Sequence, residues 1–179
     1  MILYNVDDQI QRHYTGHTGE IRAISIHPNK LLIATGQGAN IEGRHDRRAH
    51  IRIWDSVSLN TNHIIGINGE FDRGISCIAF SKLDGGNLLG VVDESYDHVV
   101  SLWEWQKSSN GHRLSESKST IDPVLAIEFH PTEKFTMITL GRGHIFFWDT
   151  EGGTLVKKIG AFEVSNFFWV VHFCLIFLL

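Results

Sequence analysis

The chain has 179 residues, of which 42% are hydrophobic and 20% charged, with a formal net charge of -4. That balance admits one domain with a sizeable core and excludes a disordered chain; the acidic excess excludes a broad basic surface, so no nucleic-acid partner is expected. Two cysteines, Cys77 and Cys174, stand 97 positions apart, which excludes a disulfide framework or CxxC site and fits a reducing, intracellular setting.

The chain opens with MILYNVDDQIQRHY, which lacks the charged, apolar and small-residue regions of a secretory signal. ILYN (2–5) reads as a strand within a sheet whose earlier partners would lie before Met1, and QIQRHY (9–14) as the outer strand that follows it. Residues 1–19 are thus the end of one repeat unit. Three matching units fill 20–163. The first holds EIRAISIHP (20–28), LLIATGQ (31–37), HIRIWD (50–55) and TNHIIGI (61–67). The second holds GISCIAFS (74–81), NLLGVVD (87–93) and HVVSLWEW (98–105), and the third VLAIEFHP (124–131), FTMITLG (135–141), HIFFWD (144–149) and TLVKKIG (154–160). Trp54 to Trp103 is 49 residues and Trp103 to Trp148 is 45, close to the roughly 40 to 45 of a four-stranded propeller blade with loop insertions.

Short runs rich in Ile, Val, Phe and Leu, bounded by Pro, Gly, Asn and Asp, predict strands joined by tight turns. His27-Pro28 and His130-Pro131 act as stops, since proline donates nothing to a ladder. No helix-length apolar stripe occurs. The predicted fold is all-β: a partial β-propeller of about three four-stranded antiparallel blades. A closed propeller needs roughly four to eight blades, so the ring stays open. Open edges and uncovered blade faces are then an association hazard.

Each tryptophan ends an alternating run, where a flat indole can pack against a neighbouring blade and a following Asp favours a turn. A buried indole N–H needs an acceptor. His17 precedes Trp54 by 37 residues, and Thr35 on the second strand is the expected bridge between the two. Such a chain serves blade geometry rather than catalysis.

The Gly16-His17 pair, the Trp-Asp pairs and the period resemble WD repeats. The likeness narrows over YNVDDQIQRHYTGH (4–17), ATGQ (34–37), HIRIWDSVSLNT (50–61), CIAFSK (77–82), HVVSLWEWQK (98–107), EFHPTEK (128–134) and GHIFFWD (143–149). Together these resemble the first propeller of the echinoderm microtubule-associated protein-like family over residues 2 to about 163. The resemblance implies an atypical β-propeller, tubulin and microtubules as partners, and a place in the cytoplasm on the cytoskeleton. Departures are visible. The Asp expected six residues before the Trp is present as Asp97 before Trp103, but Arg48 and Arg142 hold that offset before Trp54 and Trp148. Gly-His is also missing from the second and third units, which predicts more reliance on apolar packing there.

The candidate binding element is GQGANIEGRHDRRAH (36–50), an insertion between two strands of the first blade that carries Arg44, Arg47 and Arg48. Loops on a rigid scaffold often carry binding, and a basic cluster suits acidic tubulin; the plainer reading is a solvated loop. No catalytic, cofactor or metal site is expected. Gly36, Gly38 and Gly43 miss the dinucleotide spacing, and the pairs His13/His17 and His45/His50 lack further ligands. Asp93, Glu94 and Asp97 read as turn residues. The chain therefore reads as a non-catalytic tubulin- or microtubule-binding fragment, with a general protein-interaction scaffold as the other functional class.

Residues 164–179, VSNFFWVVHFCLIFLL, break the repeat. From Phe167 the run is shorter than the roughly 20 residues of a spanning helix, so a membrane role is not expected. The tail reads as intron read-through, with a marginal membrane anchor as the alternative.

Overall fold

The computed structural model describes residues 1–39 and 48–160. Alternation of apolar and polar residues becomes a ladder of β-strands. β1 (Ile2–Asn5) and β2 (Ile10–His13) form a hairpin. The first blade is β3 (Ile21–Ile26), β4 (Leu32–Gln37), β5 (His50–Asp55) and β6 (Thr61–Ile65). The second is β7 (Ile75–Phe80), β8 (Leu88–Asp93), β9 (Val100–Glu104) and β10 (His112–Ser117). The third is β11 (Val124–Phe129), β12 (Met137–Gly141), β13 (His144–Glu151) and β14 (Thr154–Ile159). Each blade is an antiparallel sheet in simple sequence order, and the predicted partial, unclosed propeller is what the chain forms. β3, β7 and β11 touch in succession, as do β10 and β14 farther out, so the blades fan around the first strands.

The turns follow the local chemistry. β3 stops at Ile26, before His27-Pro28, and Asn29 Oδ1 accepts from the N–H groups of Leu31 and Leu32. After Trp54, Asp55 Oδ1 accepts from Val57 and Ser58 N–H at 2.8 and 2.6 Å and ends β5. The same dipeptide behaves differently at Trp148. Asp149 stays in the ladder opposite Val156 because its carboxylate takes Lys158 Nζ at 2.7 Å and the Thr136 hydroxyl at 2.8 Å. β13 runs on to Gly152-Gly153, both at positive φ, the backbone a two-residue hairpin turn requires.

Packing lies between blades rather than within them. One cluster joins blades one and two through Ile51, Ile53, Ile65, Ile78, Phe80 and Trp103. A second joins blades two and three through Val92, Leu102, Phe129, Met137 and Trp148. A third seats Trp54 on Tyr14, Met1 and Leu3 of the opening hairpin. Trp54, Trp103 and Trp148 thus each face the preceding unit. Blades approach closely enough that a Cβ on Gly36 would stand 2.6 Å from Ile75 Cβ, which explains an absent side chain inside β4.

Candidate functional site

At the end of the sheets where the second strand hands over to the third, polar groups of blade one form a continuous chain. Trp54 Nε1 donates to Thr35 Oγ1 at 3.0 Å, and that hydroxyl lies 2.6 Å from His17 Nε2. His17 Nδ1 is 2.8 Å from Gln37 Oε1. The same amide oxygen accepts from the N–H groups of Thr18 and Gly19, and Gln37 Nε2 donates to Arg48 O at 3.1 Å. An amide oxygen only accepts, so His17 Nδ1 bears the hydrogen and Nε2 accepts from Thr35. Every member is then satisfied.

The neutral imidazole this requires agrees with its surroundings. Burial pushes the His17 pKa down to about 4, with His50 and Arg52 adding to the fall and the Gln37 bond opposing it. His50 stacks on His17 with centroids 5.6 Å apart. Its Nδ1 donates to Arg48 O at 2.8 Å, and its Nε2 accepts from Arg52 Nε at 3.0 Å. Burial also lowers the His50 pKa, aided by Arg52.

The other blades solve the indole problem differently. In blade two, Val91 holds the register position of Thr35, and Phe71 stands four residues before its first strand, as His17 does in blade one. Phe71 packs on Trp103, and Trp103 Nε1 donates instead to Ser101 Oγ on its own strand at 2.9 Å. In blade three the hydroxyl returns to the second strand, where Thr139 accepts from Trp148 Nε1 at 2.8 Å. Asp97 stands outside these chains: it pairs with Lys118 at 2.8 Å, and its carbonyl accepts from Ser119 and Thr120.

The basic insertion leaves this network. Arg44 and Arg47 lie outside the described residues; Arg48 is described. Gly38 N donates to Glu20 O, and Ala39 N reaches across to Arg73 O of blade two at 2.7 Å. On the return side, a Cβ on Gly69 would lie 3.3 Å from Arg48 Nη1. The near end of the insertion is therefore bonded across the seam of blades one and two, while at the return end Arg48 O accepts from Gln37 Nε2 and His50 Nδ1 of blade one. Arg22 on β3 spans the same seam to Glu94.

The residues weighed for catalysis are occupied elsewhere. Asp93 Oδ1 accepts from Ser95 N, Ser95 Oγ and Val99 N to close a turn, Glu94 holds Arg22, and Asp97 holds Lys118. Burial pushes the Cys77 thiol up to about 12, which favours the protonated thiol at neutral pH. Among the described residues no group of three His, Cys, Asp or Glu is placed to hold a metal ion, and no helix is long and apolar enough to cross a membrane.

Sequence reading missed Gln37, His50, Tyr14, Phe71 and Ser101 as parts of the indole environments. ATGQ and HIRIWD contain two of them, but their role depends on which atoms the register brings together.

Comparison with known proteins matches residues 10–177 to a model of the echinoderm microtubule-associated protein first β-propeller. The chain is 48% identical over 165 residues to mouse echinoderm microtubule-associated protein-like 1, covering 91% of this chain and 20% of that protein. It is 48% identical over 163 residues to the 77 kDa echinoderm microtubule-associated protein of Strongylocentrotus purpuratus, covering 91% and 23%. Among solved structures, Saccharomyces cerevisiae Sqt1 superimposes with a TM-score of 0.61 at 20% identity, covering 83% of this chain and 37% of that one. A chain of the mitotic checkpoint complex does so at 0.63 and 17%, covering 83% and 41%; both likenesses concern the fold alone.

Proposed function

The chain belongs to the echinoderm microtubule-associated protein-like family, and on that premise we propose that it is a non-catalytic, tubulin- or microtubule-binding part of a WD-repeat propeller, working in the cytoplasm on the cytoskeleton. The observation that carries this is its 48% identity to proteins named as microtubule-associated. The chain spans about a fifth to a quarter of those relatives' length, so the partner belongs to the proposal. Supporting it is the anchored insertion. Its near end is hydrogen-bonded across the seam of blades one and two, and a basic sequence such as Arg44, Arg47 and Arg48 suits an acidic partner surface.

The test is co-sedimentation of the chain with microtubules, and pull-down of soluble tubulin, at low and moderate salt. Binding is expected, and replacing Arg44, Arg47 and Arg48 together by Glu is expected to weaken it most at low salt. Unchanged binding by that variant removes the insertion from the interface. Recovery of other proteins without tubulin replaces the proposal with a general scaffold role.

A further inference from the structure

The second strand of each blade ends at one register position, opposite the start of the first strand, and the residue there differs each time: Gln37, Asp93 and Gly141. From that residue to the third strand is thirteen positions in blade one, seven in blade two and three in blade three. Asp93 closes its short link alone, its Oδ1 accepting from the N–H groups of Ser95 and Val99. Gly141 offers no side chain. Opposite it His144 holds the register position of His50, and among the described residues neither of its ring nitrogens has a hydrogen-bond partner.

Gln37 works differently, because a primary amide both accepts and donates. Buried in β4, it accepts at Oε1 from His17, Thr18 and Gly19 of the loop that enters the blade, and it donates from Nε2 to Arg48 O at 3.1 Å. His50 Nδ1 donates to the same carbonyl at 2.8 Å. Two buried side chains thus hold the Arg48 backbone, two residues before β5 begins. The Arg48 guanidinium is carried to the turn that leads into blade two, where a Cβ on Gly69 would stand 3.3 Å from Nη1.

We propose that Gln37 and His50 are positioning residues for binding: by fixing the Arg48 backbone they aim its guanidinium at the seam, so the buried chain that starts at Trp54 also serves the partner surface. This role rests on the reading that Arg48 meets an acidic partner surface. Preorganisation is its physical basis, since a side chain whose backbone is already fixed loses less freedom when it is bound. Thr35 has no share in it, because its hydroxyl meets His17 and Trp54 at the other end of the chain. Releasing the Arg48 carbonyl and breaking the indole contact are therefore separable.

Microtubule co-sedimentation of the full chain at low and moderate salt tests this, at a temperature where tryptophan emission shows each variant folded. Gln37→Glu keeps an acceptor for His17, Thr18 and Gly19, but an ionised carboxylate has nothing to donate to Arg48 O. His50→Leu removes the second donor, whereas in His50→Asn the side-chain amide takes the place of Nδ1–H. Binding at low salt should weaken on the order of three- to tenfold in Gln37→Glu and in His50→Leu, as when a side chain must be ordered by its partner. It should recover in His50→Asn. Thr35→Val, which damages the blade without touching Arg48, should bind as the unaltered chain does. Equal losses in His50→Leu and His50→Asn, or a loss in Thr35→Val as large as either, overturn the positioning role in favour of blade stability. Arg48→Glu is measured in parallel. Unchanged binding there removes Arg48 from the interface and leaves nothing for Gln37 and His50 to position, whereas a loss there without one in Gln37→Glu and His50→Leu overturns the positioning role alone.

Discussion

Tyr14 lies flat on Trp54, with ring centroids 4.1 Å apart and planes 4° from parallel, while its hydroxyl meets Thr61 Oγ1 at 2.6 Å. The opening hairpin is held to blade one by that stack, and Arg12 adds a clasp onto the carbonyls of Ser56 and Val57. Removing the ring with Tyr14→Ala should cost about 3–5 kcal/mol, as for other buried aromatic truncations, and expose the Trp54 indole. Chemical denaturation with tryptophan emission checks both; an unshifted spectrum and unchanged midpoint would refute the stack's role.

Thr35→Val keeps the shape of the side chain but leaves Trp54 Nε1 and His17 without their shared partner. A loss of about 1–3 kcal/mol is expected for such buried unsatisfied groups. Thr139→Val should act likewise on Trp148, whereas in blade two the sensitive change is Ser101→Ala, because Trp103 donates there. Val91→Ala tests packing alone and should leave the Trp103 hydrogen bond in place. Equilibrium unfolding of the four variants measures the contrast.

His17 is depressed to about 4 in the folded chain from its ordinary 6.5. Between those values the unfolded chain binds the extra proton, so stability is fully present above about pH 6.5 and declines as pH falls toward 4. His50 is lowered as well and acts in the same direction. Denaturant midpoints from pH 7.5 to 4.5 should fall for the unaltered chain and fall less for His17→Gln. Parallel curves would show that the imidazole does not titrate this way.

Ile24 and Ile26 are 53% and 63% exposed, although the same register positions, Ile78 and Phe80 in blade two and Ile127 and Phe129 in blade three, are buried between blades. Replacing both by Lys should leave stability within about 0.5 kcal/mol, as for surface positions. It should reduce concentration-dependent association in sedimentation velocity, and equal association by both chains would move the adhesive surface elsewhere.

Period, strand alternation and turn residues are properties of neighbouring positions on one chain. The sequence alone therefore determined the all-β class and the family, and placed His17, Thr35 and Trp54 in one proposed chain. What it left undecided were contacts set by register between distant segments. Asp97 faces Lys118 rather than an indole, and Asp149 remains in its strand while Asp55 opens a turn. Only the tertiary structure decided that Gln37 and His50 complete the network, that Ser101 replaces a second-strand hydroxyl in blade two, and that Trp54, Trp103 and Trp148 each look toward the preceding unit. A hydrogen bond depends on a few tenths of an ångström between atoms far apart in sequence, and residue spacing along a single chain carries no such distance.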